Sequence, residues 1–228
     1  MSVGLIKILL DFGVAVILIL AVIVGWKRGF VQTIYQAFRW LICIILAQLL
    51  YPYVSDLLKS TGLETTIRES IITALGGSQS GGDIQSLKLP GFLKDLLIKN
   101  DNTTIYEMLH VKTATEYVSA YLAQLAINVI SVLLLIIVLL IGTHLLGVAL
   151  NILTRLPVLN SLNSFLGGLG GIVLGILYIW IFGLVVYLVA ILGHLTSLGE
   201  AAEQTWLLNL ANQYNPLLHF AMNFLPKT

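Results

Sequence analysis

Apolar residues run for twenty or more positions at four places in this chain, at 5–24, 30–51, 127–150 and 166–192. A helix rises 1.5 Å per residue, so about 20 such residues cross the ~30 Å hydrocarbon layer of a bilayer. The pattern predicts an all-α membrane protein with four transmembrane helices. Elsewhere the periodicity becomes amphipathic. Leu63, Ile67, Ile71 and Leu75 recur at four-residue spacing, and Phe92, Leu93, Leu96 and Leu97 form an apolar patch. Thr61 with Glu64, Thr104 with Glu107 and Thr113 with Glu116 read as capping boxes, the last opening a helix that runs unbroken into the third span. The Gly/Ser-rich stretch 76–82 divides this region as a linker.

Four parts follow: a transmembrane hairpin at 1–51, a helical extracytoplasmic segment at 52–126, a second hairpin at 127–192 and a tail at 193–228. In the tail, Ser197 with Glu200 marks a helix start, and Trp206, Leu207, Leu210 and Tyr214 share a face before Pro216 interrupts it. Leu217, Leu218, Phe220 and Phe224 come after the proline. That length suits an interfacial amphipathic helix rather than a fifth span. The short outer helices either lie on the membrane surface and cap the bundle, or form a platform for partner docking or gating. Amphipathicity is compatible with both.

Composition agrees with lipid as the main solvent. Hydrophobic residues make up 58% of the chain and charged residues 10%, with a mean hydropathy of +0.96. A net charge of +1 with no basic run argues against nucleic acid as a partner. Cys43 is the only cysteine, which excludes an internal disulfide. Lys7 before an apolar run imitates a signal peptide, but Gly25-Trp26-Lys27-Arg28 follows without a small-x-small cleavage pattern, so an uncleaved anchor is expected. Lys27 and Arg28 in the first connection and Arg155 in the third place those connections in the cytoplasm, with both termini and the long loop extracytoplasmic.

Polar residues inside the spans carry the candidate chemistry. Gln32, Gln36, Arg39 and Cys43 fall on one stripe of the second span, and Gln124, Asn128 and Ser131 on a matching stripe of the third. Lipid satisfies neither, so both should face protein or water. Arg39 lies about 15 Å past Gly29, near mid-membrane, where an Arg costs roughly 2.5–3.5 kcal/mol to insert. Asp11 is the only carboxylate inside a span. A tight hairpin of the first two spans would bring Asp11 within reach of Arg39; an ion pair fixing that hairpin and a polar solute path are both open readings. His144 lies opposite Asn128 on its helix and reads as a helix-contact donor. Gly167, Gly171 and Gly175 form two overlapping GxxxG steps, which allow close approach of a helix from this chain or from a second copy. No catalytic constellation or metal-ligand cluster is recognisable, so neither an enzyme nor a cofactor is expected.

Two segments together resemble the colicin V production family of small bacterial membrane proteins. One starts at Asp11 and continues through Gly25-x-x-Arg28-Gly29-Phe30. The other runs from Leu162-Asn163-Ser164 through Gly167, Gly171 and Gly175. Asn163 and Ser164 stand where the family pattern often has Asp and Arg, and Leu174 stands at its usual basic position. The resemblance implies a multi-pass protein of the bacterial plasma membrane that supports peptide-toxin production or export and envelope homeostasis without catalysis. The alternatives are a small homo-oligomeric channel or transporter, and an auxiliary subunit of an export machine. The expected partners are the lipid bilayer, a second copy of the chain, and an export-machinery or envelope protein.

Overall fold

The computed structural model describes residues 2–75, 84, 87, 89, 91–149, 161–193 and 195–218. These are helical and contain no strand. Four long helices, α1 (Val3–Arg28), α2 (Phe30–Ser60), α6 (Ala114–Ala149) and α7 (Ser161–Leu192), are long and apolar enough to cross a membrane. Between α2 and α6 lie α3 (Leu63–Ala74), α4 (Gly91–Lys99) and α5 (Thr103–Met108); α8 (Thr196–Gln204) and α9 (Trp206–Gln213) follow α7. The 76–82 linker falls outside the described residues.

Helix ends differ from the sequence expectation in instructive ways. α1 does not stop at 24 but winds through Lys27 and Arg28, leaving Gly29 alone as the turn. Two cations in the last turn of α1 favour this extension, because they meet the negative end of the helix dipole. The box at Thr113 and Glu116 forms: Glu116 N–H donates to Thr113 Oγ1 at 3.2 Å, and Thr113 N–H to Glu116 Oε2 at 3.3 Å. The other three boxes do not. Thr61 donates backwards to the Leu58 carbonyl at 2.6 Å, and Gly62, in a left-handed conformation, precedes α3. Asn102, not Thr104, caps α5 by accepting from Ile105 N–H at 3.0 Å. α8 begins at Thr196 without a side-chain cap. A box needs its Ser or Thr at the residue where the chain turns, and in these three cases the helix starts from Gly62, Asn102 and Leu195 instead.

The long helices do not pair as two sequential hairpins. α1 packs most extensively on α7, antiparallel to it, and α2 packs on both α6 and α7. Beyond the Gly29 turn α1 and α2 touch little, because α7 packs against both of them. α6 has 36 residues, which gives about 54 Å and far exceeds a bilayer core. Its two halves meet different solvents. Every residue from 117 to 129 is buried, with α3 running along the helix. Tyr117 opens this buried stretch, stacked on Tyr106 at 4.9 Å and edge-on to Tyr121 at 5.8 Å. From Leu134 onward, Leu134, Ile137, Val138, Ile141, Leu145 and Leu146 are exposed, an apolar surface suited to lipid.

The tail is two short helices rather than one amphipathic helix. The break falls at Thr205, whose hydroxyl turns back to the Ala201 carbonyl at 2.9 Å. α9 docks on α7: Trp180 Nε1 donates to the Ala211 carbonyl at 2.8 Å, and Asn215 Nδ2 to the Trp180 carbonyl at 3.0 Å. Leu208 and Asn212 point inward, while Trp206 and Tyr214 are 71% and 72% exposed. Phe220 and Phe224 lie outside the described residues.

Candidate functional site

Glycines set the frame on which the polar groups hang. Gly25 and Gly171 face the backbone of the opposing helix so closely that an added Cβ would run into the Gly167 carbonyl or the Ala21 carbonyl. A Cβ at Gly167 would meet the Gly25 carbonyl and the Gly29 backbone, and one at Gly175 would lie 2.9 Å from the Leu18 side chain. Gly167, Gly171 and Gly175 are therefore covered by α1 of the same chain. This removes the argument that they join subunits of an oligomeric channel.

Gly29 has φ +79° and ψ 170°, a region open essentially to glycine alone, and Asn163 lies against it. Asn163 Oδ1 accepts from Phe30 N–H at 3.0 Å, supplying an acceptor to an N-terminal amide of α2 from across the bundle. Thr33 Oγ1 closes the turn on the Gly29 carbonyl at 2.8 Å. Trp26 covers Gly168 and meets Phe165 edge-on at 6.1 Å. Lys27 and Arg28 stand exposed at this end of the molecule. Arg155 lies outside the described residues.

The two polar stripes do not face one another. α2 and α6 are antiparallel, so the α6 stripe meets the far end of α2. Asn128 Oδ1 accepts from Ser55 Oγ at 2.9 Å and from Gln124 Nε2 at 3.0 Å, and Ser131 Oγ donates to the Ile127 carbonyl at 2.8 Å. Pro52, inside α2, lacks the N–H that would bond the carbonyl four residues back, and it lines a cavity of about 280 Å³ with Ser55, Asp56, Lys59, Gln124 and Asn128. Asp56 and Lys59 lie 3.8 Å apart, so this cavity carries both signs of charge.

About 24 Å along α2 from Ser55, at 1.5 Å per residue, Arg39 lines a second cavity, again of about 280 Å³. Its other walls are Arg28, Gln32, Tyr35, Gln36 and His144. Arg28 donates to Gln36 Oε1, and Gln36 Nε2 donates to Tyr178 Oη at 3.1 Å. Both functions of the Gln36 amide are thus engaged. Arg39 Nε is buried without a partner among the described residues. His144 is exposed and lines this cavity, which corrects its reading as a helix-contact donor. Cys43 leaves the stripe's polar company and sits buried, its sulfur 3.8 Å from Thr143 Oγ1.

Asp11 does not pair with Arg39. It accepts from Lys7 Nζ at 2.6 Å, one turn away on α1, with the two side chains 40% and 37% exposed. The expected pair presumed a tight α1–α2 hairpin, and the packing of both helices on α7 leaves none. An exposed i,i+4 pair contributes about 0.3–0.5 kcal/mol, so it orders a surface rather than a core.

Two further recesses complete the picture. A groove of about 410 Å³ runs between α1 and α2 over α7, lined by Ile17, Leu20, Val24, Leu174 and Tyr178 among others, and it is mainly apolar. The other, about 880 Å³, opens beside α5 at Asp101, Tyr106, His110 and Lys112. Burial, with Asp101 beside it, pushes the Tyr106 phenol above its ordinary range. Among the described residues, no three His, Cys, Asp or Glu side chains are grouped so as to hold a metal. Sequence reading missed Asn163, Thr33, Ser55 and Tyr178 as site residues. Each is a common residue type whose partner is remote in the chain, and only Asn163, beside the glycine row, carried any local signal.

Residues 10–77 match the model of the colicin V production protein domain. The match covers most of α1, all of α2 and α3, and the Gly29 turn. It does not reach the 162–175 segment, where the second half of the resemblance lies. No curated protein and no solved structure matches the chain. Four apolar helices and this domain make the chain a multi-pass membrane protein.

Proposed function

We propose that this chain is a non-catalytic plasma-membrane protein of the colicin V production type, supporting peptide-toxin production or export and envelope homeostasis in a bacterium. The domain match over residues 10–77 is the observation that carries this reading. Lys27 and Arg28, exposed at the Gly29 turn, support an orientation with that turn in the cytoplasm. The α3–α5 segment and the α8–α9 tail then lie toward the outer side, with Trp206 and Tyr214 at the depth of an interfacial aromatic belt. The outward faces of α3, α4 and α5, around the buried first half of α6, are the surface on which an export-machinery or envelope protein would dock.

Deletion of the gene in a toxin-secreting host, followed by complementation, tests the role. Secreted toxin titre and detergent sensitivity should both change on deletion and return with the wild-type chain. Unchanged titre and sensitivity would remove the proposal. Orientation is read separately with single cysteines in a Cys43→Ser background. Glu69→Cys, exposed on α3, should label in intact cells with an impermeant reagent, and Lys27→Cys only after permeabilisation. The reverse labelling would invert the orientation.

A further inference from the structure

The cavity at Arg28, Gln32, Tyr35, Gln36, Arg39 and His144 has a composition that packing alone does not explain. It lies alongside the first three turns of a membrane-crossing helix. Among the described residues, its lining includes two guanidinium groups and an imidazole, and no carboxylate. Arginine stays protonated in proteins, so the positive charge cannot be relieved by loss of a proton. The ion pairs seen among the described residues, Lys7 with Asp11 and Lys59 with Asp56, involve neither arginine. Arg28 spends a donor on the neutral Gln36 amide, and Arg39 keeps a buried Nε–H without an acceptor among the described residues. A buried donor left unsatisfied is costly, and a cation at membrane depth more so. An oxyanion in the cavity would supply the missing counter-charge, since guanidinium forks match phosphate oxygens in charge and geometry.

From this we infer that the cavity binds a phosphate-bearing anion, held by Arg28 and Arg39 and oriented by Gln32, Tyr35 and His144. A volume of about 280 Å³ admits a phosphodiester headgroup with a small substituent. The source is either an anionic phospholipid or a soluble phosphate compound. The surroundings favour the lipid: exposed Phe38 on α2 and exposed Ile141 and Leu145 on α6 flank the cavity along their helices and offer an apolar wall for acyl chains. Basic recesses between membrane helices are suited to such headgroups. This inference rests on the charges and the orphan donor, and stands whether or not the toxin-related role does.

The test uses the full chain purified in a neutral detergent. Wild type, Arg39→Gln, Arg28→Gln and Gln32→Glu are compared for thermal stability and for ligand retention in native mass spectrometry. The probes are phosphatidylglycerol, phosphatidylcholine and inorganic phosphate. Phosphatidylglycerol should raise the melting temperature of wild type and remain bound, while phosphatidylcholine does neither. Arg39→Gln should weaken retention roughly tenfold, the loss of one charge-assisted contact. Gln32→Glu supplies an internal carboxylate, so it should raise stability without ligand and abolish the lipid's effect. It also keeps the test decisive if Arg39→Gln fails to fold. An Arg39-dependent shift with inorganic phosphate, and no preference between lipids, would identify a soluble phosphate compound as the source. No shift with any probe, or equal shifts in wild type and all variants, would overturn the site.

Discussion

Two cavities of the same size, about 280 Å³ each, lie at opposite ends of α2, and their polar groups are treated in opposite ways. Around Asn128, the side-chain oxygen receives two donors and the nearby charges are one acid and one base. Around Arg39, the charges among the described residues have one sign and a donor is left over. A satisfied network fixes helix register and asks for nothing further. An unsatisfied one stores an affinity. Intramembrane polar residues thus divide by the state of their partners rather than by residue type, and both stripes look alike until the helices are assembled.

The largest effect should come from the frame beneath both cavities. Gly171→Leu places four carbons where α7 meets the Ala21 carbonyl, so it should abolish monodisperse protein in size-exclusion chromatography. Val173→Leu, on the exposed face of the same helix, should leave the elution profile unchanged. Equal behaviour of the two variants would mean that the seam does not hold the frame.

The next comparison sets the cavities directly against each other. Asn128→Leu strands the buried Ser55 hydroxyl and Gln124 amide, and should lower stability by about 2–3 kcal/mol in a detergent denaturation series. Arg39→Leu removes a charge that has no counter-ion, and without anionic lipid should change stability by no more than about 1 kcal/mol, or raise it. Comparable losses from both would erase the distinction between a closed network and an open site.

The smallest effect tests the ends of α1. Asp11→Asn should cost under about 0.5 kcal/mol, since its partner Lys7 is an i,i+4 neighbour on the same helix and holds no second element in place. Combined with Arg39→Gln, the change should be additive within about 0.5 kcal/mol, as for groups without contact. A coupling of 1 kcal/mol or more in that double-mutant cycle would restore the pair that the structure separates.

The sequence by itself determined the four apolar helices, the helical segments between and after them, the Thr113 cap and the resemblance to the colicin V production family. Each is written in neighbouring residues: apolar length is a local property, and a capping box spans four positions. Glycine spacing at 167, 171 and 175 is legible in the same way, as a face without side chains. The tertiary structure alone decided what covers that face, that α7 separates α1 from α2, and that the α2 and α6 stripes end up about 24 Å apart along α2. Three capping boxes did not form, because the helix starts fall at Gly62, Asn102 and Leu195 rather than at the Ser or Thr of the box. Helix pairing in lipid is driven by fit and by polar contacts rather than by the hydrophobic effect. Apolar patterning therefore specifies which segments cross, and says little about which of them meet.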